Sequence, residues 1–184
     1  MEQIMRVKKE EAVLVAVDFQ ERLMPVIHGV DKLVDKTCRL IEGAKVLGLP
    51  ILVTQQYTKG LGDTVEPIKS KLGDFTYFEK DTFSCLGSDE FKEALKATGR
   101  KQVLLCGIET HICVMQTALD LMEEGYEVFL VGDCCSSRTK KDSKVGVWRI
   151  AASGAMRTTA EMVLMEMTGG SKAEEFRAIS KIIK

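Results

Sequence analysis

A cysteine between a buried strand and a helix is the strongest candidate for chemistry in this sequence. The stretch from Gln102 to Val114 starts as a short apolar run, passes through Gly107 and polar residues, and takes up helical spacing at Cys113. A helix N-terminus carries a partial positive charge and free backbone N–H groups, which lower the pKa of a thiol and can hold an oxyanion. Cys113 is therefore predicted to be a nucleophile. The alternative interpretation is a small buried apolar residue, as most free cysteines are.

Two charged residues lie at comparable positions, at the ends of other predicted strands. Asp18 follows the apolar run from Ala12 to Val17, and Lys80 ends an aromatic-rich run. A carboxylate beside a thiol can take its proton and later deliver it to a leaving amine, while an ammonium favours the thiolate and keeps the carboxylate ionised. With Cys113, the set contains a nucleophile, a base and electrostatic support. Taken singly, Asp18 also fits as a cap and Lys80 as a solvated loop lysine.

Histidine offers few alternatives, because the chain contains only His28 and His111. His111 precedes Cys113 by two residues, and side chains two apart on a helix point in different directions. A cysteine–histidine dyad is therefore strained unless the turn reorients one of the two. We predict that His111 lines a pocket or lies in a surface turn.

Alternating apolar strands and amphipathic helices predict how these residues are positioned. We expect strands at 12–17, 50–54, 75–80, 102–106, 126–131 and 155–157, a loop at 58–64, and helices at 30–47, 65–71, 89–97, 115–124, 141–153, 159–167 and 173–182. Right-handed crossovers then give an α/β, three-layer, Rossmann-like fold with a mainly parallel six-stranded sheet and helices on both faces. Ligands of such folds bind beyond the carboxyl ends of the strands, where the strand order reverses, so one crevice can hold Asp18, Lys80 and Cys113.

Length, composition and charge restrict the class of partner. The 184 residues, 45% of them hydrophobic, fit a single domain spanning residues 1–184. The net charge of -1 offers no basic stripe for nucleic acid or a membrane surface, and the apolar runs are shorter than the about 20 residues of a membrane helix. A small-molecule substrate or other protein chains are the expected partners. Six cysteines without a signal peptide indicate cytosolic thiols, and the acids within 1–11 disfavour a transit peptide, so a cytoplasmic location is expected.

The motifs, taken in chain order, resemble one known family. Asp18 after an apolar run, Lys80 after an aromatic strand, and the segment from Gly107 to Val114 are similar to the isochorismatase-like cysteine hydrolase superfamily. The similarity covers nearly the whole chain. Two further segments, 131–138 and 149–161, resemble its isochorismatase-domain-containing branch.

The resemblance implies roles for individual residues. Cys113 is implied as the nucleophile, Asp18 as the general base and acid, and Lys80 as the supporting cation. It also implies a cis peptide between Ile108 and Glu109, with the N–H groups of Glu109 and Cys113 forming the oxyanion hole. Family members are commonly homo-oligomers. The methionines of the C-terminal third are compatible with an interface there, although core packing explains them equally well: Met156, Met162, Met165 and Met167.

Two departures from relatives narrow the expected chemistry. Nicotinamidases of the superfamily carry a metal-binding Asp-x-His after the second strand, whereas this chain has Gln55-Gln56-Tyr57 there. No metal site and no cofactor are therefore expected. Isochorismatases hydrolyse a vinyl ether without needing the cysteine, so the presence of Cys113 favours acyl transfer.

These observations predict a cysteine hydrolase that cleaves a C–N bond of a small amide or ureido compound through a thioester. We expect Cys113 to react with iodoacetamide well below pH 8. Residues adjacent in sequence to the crevice either shape the pocket or are ordinary core and loop residues: Phe19, Gln20, Gln56, Tyr57, Phe83 and His111. The alternatives are an oligomeric interaction protein with an unused triad, an isochorismate-type hydrolase, and thiol redox chemistry at Cys106 or Cys134-Cys135. The last of these lacks the usual C-x-x-C spacing.

Overall fold

The computed structural model describes residues 5–184 and contains a six-stranded sheet. Residues 1–4 of the N-terminal segment discussed above lie outside the described residues. In chain order the strands are β1 Ala12–Val17, β2 Ile51–Gln56, β3 Tyr77–Lys80, β4 Gln102–Ile108, β5 Glu127–Ser136 and β6 Met156–Thr158. Their order across the sheet is β3-β2-β1-β4-β5-β6, and each neighbouring pair is parallel. The predicted α/β fold with a parallel six-stranded sheet is confirmed.

Helices cover the sheet on both faces. They are α1 Val30–Val46, α2 Thr58–Leu61, α3 Glu66–Leu72, α4 Asp89–Ala97, α5 Met115–Glu123, α6 Lys140–Ala152, α7 Ala160–Thr168 and α8 Phe176–Ile183. Helices α1, α7 and α8 pack together, and α5 packs against α6. This gives the predicted three-layer arrangement, in which a right-handed crossover places each connecting helix on the sheet.

The central strands show why the sheet forms from this sequence. Every residue of β1 and of β4 is buried. Strands covered on both faces read as continuous apolar runs rather than alternating ones, which is the pattern of both segments. The strand order reverses between β1 and β4, so the crevice of the switch point opens beyond Val17 and Ile108.

Two elements differ from the sequence prediction. Strand β5 was expected to end at Val131, because Gly132 and Asp133 are typical of turns. In the structure β5 runs on to Ser136, and its register with β4 shifts between Leu105 and Gly107. The turn-type residues therefore lie in an irregularity within the strand. The predicted loop at 58–64 contains the single helical turn α2.

No helix within residues 5–184 combines the length and the apolar character needed to cross a membrane.

Candidate functional site

A buried ion pair lies at the carboxyl edge of the sheet. Asp18 directly follows β1, and Lys80 is the last residue of β3. Lys80 reaches across β2, so that its Nζ lies 2.6 Å from Oδ2 of Asp18, and both side chains are 0% exposed. Thr54 of β2 donates a hydrogen bond of 2.8 Å to the other carboxylate oxygen, Oδ1. Oδ2 accepts no hydrogen bond of normal geometry from the described residues, so its contact with Lys80 is an ion pair.

The backbone holds Asp18 in an uncommon conformation. Its φ is 54°, in the left-handed region that few residues other than glycine enter. Aspartate is among the residue types that tolerate this region, and such conformations cluster at functional sites. The backbone N–H of Asp18 donates to the carbonyl of Thr54 at 3.2 Å. The turn after β1 thus directs the carboxylate towards Lys80.

The ammonium of Lys80 forms hydrogen bonds with backbone carbonyls in addition to its ion pair with Asp18. It donates to the backbone carbonyls of Thr82 at 3.1 Å and Phe83 at 3.0 Å. Burial opposes the charge and is the largest single influence on the pKa of Lys80, but the Asp18 carboxylate, with the neighbouring thiols, outweighs it and the pKa is raised. Lys80 is therefore a fixed cation at the site.

Cys113 lies in a turn of π-helix, Thr110–Val114, which leads directly into α5. Single π-turns are rare and frequently occur at functional sites. The glycine at 146 in α6 allows the turn to pack closely, since a Cβ there would lie 2.9 Å from the Cα of His111. The thiol is buried, and its Sγ lies 3.3 Å from Oε1 of Gln56, to which it donates.

The thiol of Cys113 is protonated at rest. Burial, and secondly the negative charge of Asp18, raise the pKa of Cys113 to about 12, against the opposing effect of Lys80. The expectation of a lowered thiol pKa is therefore wrong. A helix N-terminus stabilises a thiolate only by a partial charge, and desolvation in this buried position outweighs it.

This protonation state predicts the pH dependence of alkylation. A thiol with a raised pKa is almost entirely neutral at pH 8, and each unit of pH below the pKa changes the thiolate fraction tenfold. We expect the labelling rate of Cys113 with iodoacetamide, followed by peptide mass spectrometry, to rise about tenfold per pH unit up to pH 10 without a plateau. A plateau below pH 8 would contradict the assignment. Cys38, which is half-buried on α1, provides an internal comparison.

Gln56 joins the thiol to the cation. Its Oε1 lies 3.3 Å from Nζ of Lys80 as well as 3.3 Å from Sγ of Cys113. Gln20, which is fully buried, holds the backbone of Gln56 by accepting from its N–H at 2.7 Å and donating to its carbonyl at 3.0 Å. Both glutamines named as pocket candidates thus belong to the hydrogen-bonded network of the site.

The other pocket candidates occupy different surroundings. Phe19 is buried in the hydrophobic core, whereas Tyr57 and Phe83 are 54% and 50% exposed. His111 is partly buried, and its Nδ1 lies 2.9 Å from the hydroxyl of Ser137. The hydrogen-bond partner of this histidine is therefore a serine directly after β5, and not the thiol.

Glu109 opens the turn that carries Cys113. Its carbonyl accepts hydrogen bonds from the N–H groups of Ile112 at 3.0 Å and Val114 at 3.3 Å. Its side chain accepts from the backbone and guanidinium of Arg138, at 2.9 and 3.1 Å. The peptide bond between Ile108 and Glu109 is cis.

Sequence reasoning missed two residues that border the ion pair. Thr54 is a polar residue at the end of an apolar strand, and its register opposite Val17 places it beside Asp18. Cys85 is fully buried and hydrogen-bonds with Thr54 and Thr117, at 3.7 and 3.3 Å. Burial, and then the charge of Asp18, raise the pKa of Cys85 to about 11. The polar end of β2 was a usable signal for Thr54, whereas nothing in the local sequence distinguishes Cys85.

Within residues 5–184, no group of three or more histidine, cysteine or acidic side chains is arranged to hold a metal ion.

The fold and the site define a class: a Rossmann-like α/β protein with a buried polar site at the switch point of its sheet. The isochorismatase domain family matches residues 12–162. Isochorismatase domain-containing protein 2 of Xenopus laevis is 36% identical over 183 residues, covering 100% of this chain and 88% of that protein. Isochorismatase domain-containing protein 1 of Salmo salar is 38% identical over 167 residues, covering 91% of this chain but 59% of that protein. The chain belongs to the isochorismatase family, in its isochorismatase domain-containing branch.

Solved structures share this fold over almost the whole chain. A MAR1 ribonuclease from Caenorhabditis elegans has a TM-score of 0.92 and 35% identity, covering 97% of this chain and 92% of that one. The YcaC gene product of Escherichia coli, an octameric hydrolase of unknown specificity, has a TM-score of 0.93 and 26% identity, covering 100% and 91%. YcaC from Pseudomonas aeruginosa, with hexane-2,5-diol and covalent acrylamide, has a TM-score of 0.91 and 26% identity, covering 99% and 93%. The chain therefore has the hydrolase fold of the isochorismatase family.

Proposed function

We propose that this protein is a cysteine hydrolase that cleaves a C–N bond of a small amide or ureido compound. Cys113 is the nucleophile, Asp18 the general base and acid, and Lys80 the supporting cation. The observation that carries the proposal is the Asp18–Lys80 pair, because two fully buried charges at 2.6 Å beside a thiol are costly to maintain without a use.

The protonated thiol determines the order of events. Asp18 takes the proton from Cys113 as the sulfur attacks the carbonyl carbon, and the C=O electron pair moves to the oxygen. The backbone N–H groups of Glu109 and Cys113 hold this oxyanion. Asp18 then passes its proton to the nitrogen, the C–N bond breaks, and ammonia or an amine leaves a thioester. Water, deprotonated by Asp18, attacks the thioester, and the acid departs as the proton returns to the sulfur.

Similarity to solved relatives supports a nucleophilic site. The Pseudomonas aeruginosa relative was solved with covalent acrylamide, an electrophile that adds nucleophiles through its C=C bond and keeps its amide group intact. The Escherichia coli relative is described as a hydrolase. Both share the fold of this chain with 26% identity, and we carry over the reaction class rather than any particular substrate.

We propose in addition that the chain forms one domain and acts in the cytoplasm as a homo-oligomer on a small molecule. All six cysteines are free thiols, as is usual in a reducing compartment. The octameric relative supports self-association. Trp148 on α6 is 70% exposed and Met162 on α7 is 57% exposed, and large exposed apolar side chains are typical of interfaces. Met156 and Met165 are also exposed, whereas Met167 is buried in the core.

Ammonia release tests the reaction directly. We expect the wild type to release ammonia from at least one member of a panel of small primary amides and ureido acids. Cys113→Ala should lower that rate at least about a thousandfold, because removal of a nucleophile abolishes the covalent route. Cys38→Ala, which removes a thiol from α1, should retain the wild-type rate.

Three outcomes would favour the alternatives. Ammonia release that survives in Cys113→Ala would contradict the thioester route. Hydrolysis of isochorismate by both proteins would indicate an isochorismate-type hydrolase. Failure of every substrate, together with a Cys113 that never alkylates, would favour an interaction protein with an unused triad.

A further inference from the structure

Gln56 offers the thiol hydrogen of Cys113 an acceptor other than Asp18 in the free protein. Its Oε1 accepts a hydrogen bond from the Cys113 thiol, at 3.3 Å. The carboxylate of Asp18 meanwhile contacts Lys80 through one oxygen and Thr54 through the other. The S–H group thus has a neutral amide as an acceptor, in competition with the carboxylate of Asp18, which also lies within hydrogen-bonding reach of the thiol and would remove its proton.

The position of this amide is set by its neighbours. Gln20 holds both the N–H and the carbonyl of Gln56, at 2.7 and 3.0 Å, and its Nε2 donates also to Gly62 at 2.8 Å. The Oε1 of Gln56 is shared with the ammonium of Lys80 at 3.3 Å. The backbone is therefore fixed, and the Gln56 side chain is the part that can exchange partners. Among residues 5–184, no acceptor for its Nε2 is found within hydrogen-bond distance.

We propose that Gln56 is a positioning residue that holds the thiol hydrogen in the resting enzyme and gives its amide oxygen to an N–H group of the substrate. The inference rests on the proposed function and deepens it by selecting the substrate class. A primary amide or a ureido –NH₂ next to the scissile carbonyl supplies the replacement donor. An ester of the same acid supplies none. Once displaced, the S–H group turns to Asp18, which takes its proton, and no other bond forms or breaks in this step.

The groups around the thiol determine whether loss of Gln56 raises or lowers the reactivity of Cys113. The groups that face Cys113 are Asp18 from the end of β1, Lys80 from the end of β3, and the thiol of Cys85. A hydrogen bond accepted from the neutral S–H favours the neutral thiol, so removal of the acceptor raises the thiolate fraction. The same removal takes away the partner for the substrate N–H. Loss of Gln56 therefore increases reactivity at fixed pH but abolishes the preference for amides.

Two alkylating reagents separate these effects without any need for turnover. Iodoacetamide carries a primary amide, whereas methyl iodoacetate has the same leaving group and no N–H. The labelling rates of Cys113 with both reagents are measured from pH 7 to 10. The rate with iodoacetamide is divided by the rate with methyl iodoacetate, and this ratio is normalised by the same ratio for free cysteine. For the wild type we expect a normalised ratio of about three to ten, the range that one neutral hydrogen bond provides.

Gln56→Met and Gln56→Glu are matched in size and differ in the acceptor. Gln56→Met should label about three- to tenfold faster with methyl iodoacetate and show a normalised ratio near one. Gln56→Glu keeps an acceptor oxygen and adds negative charge, so it should label more slowly with both reagents yet retain the amide preference. A merely structural role would move both variants in the same direction. Gln55→Met is the positional control, because its amide bonds to Asp63 and Thr64.

The proposal is overturned if Gln56→Met labels no faster than the wild type with methyl iodoacetate, or if it keeps the amide preference. Thermal melting shows whether Gln56→Met folds. If it does not, loss of the preference for iodoacetamide in Gln56→Glu overturns the proposal. Both alkylation rates are measured on the enzyme without substrate. A wild type that hydrolyses no amide would therefore overturn the proposed function, while the two alkylation ratios would still decide the role of Gln56.

Discussion

Asp18→Asn lowers kcat/KM for ammonia release by about a hundredfold to ten-thousandfold, the usual contribution of a positioned general base. The reason is the protonation state of the nucleophile, since the pKa of Cys113 is raised to about 12 and a thiolate must be made during the reaction. Asparagine has nearly the same shape as aspartate but cannot take the proton. Steady-state ammonia release at pH 7.5 measures the effect.

The same variant should accelerate alkylation. The charge of Asp18 is the second cause of the raised thiol pKa, and Lys80, which lowers that pKa, remains in place. Asp18→Asn therefore increases the thiolate fraction of Cys113 at pH 8 while it decreases turnover. Unfolding would also expose the buried thiol and lower turnover, so a thermal melt must show that Asp18→Asn is folded at the temperature of both assays. Asp74→Asn, an exposed loop position, should change neither rate, and full turnover in Asp18→Asn would refute its role as the base.

The sequence predicted the arrangement of strand ends because that arrangement depends on local patterns. The fully apolar run of β1 and the strand–turn–helix around Cys113 both identify buried parallel strands, and Asp18 follows directly from the first. Since parallel strands end at one edge, Asp18 and Lys80 were expected in one crevice, and the structure places them 2.6 Å apart. Strand β5 was predicted too short, because pairing with β4 outweighs the turn propensity of Gly132 and Asp133.

The electrostatics of the site could not be predicted in the same way. The helix position of Cys113 was visible in the sequence, but its burial depends on the packing of α6 and of the Gln56 side chain, which only the tertiary structure shows. The bridging role of Gln56 likewise depends on a side-chain conformation. The burial of Cys113 and the position of the Gln56 side chain both depend on contacts between residues far apart in the chain, which local propensity does not encode.

Lys80→Met lowers the free energy of unfolding by about 3–5 kcal/mol, the usual result when one member of a buried ion pair is removed. The substitution replaces the lysine by an unbranched apolar side chain one atom shorter, and leaves the carboxylate of Asp18 fully buried without its counter-charge. Urea unfolding at pH 7 and one fixed protein concentration measures the loss. Lys69→Met removes the partner of Asp63 from a surface pair whose side chains are 43% and 41% exposed, and should lower the free energy of unfolding far less than Lys80→Met does.

The double variant Asp18→Asn/Lys80→Met separates the contribution of the ion pair to folding stability from its contribution to catalysis. Replacing both members of a buried ion pair is often neutral, because no unpaired charge remains in the interior. We therefore expect the double variant to recover most of the stability lost in Lys80→Met and still to release no ammonia. A double variant no more stable than Lys80→Met would show that the loss comes from packing around the lysine stem. Recovered stability without recovered turnover would mean that the ion pair is retained for chemistry, since the fold does not need it.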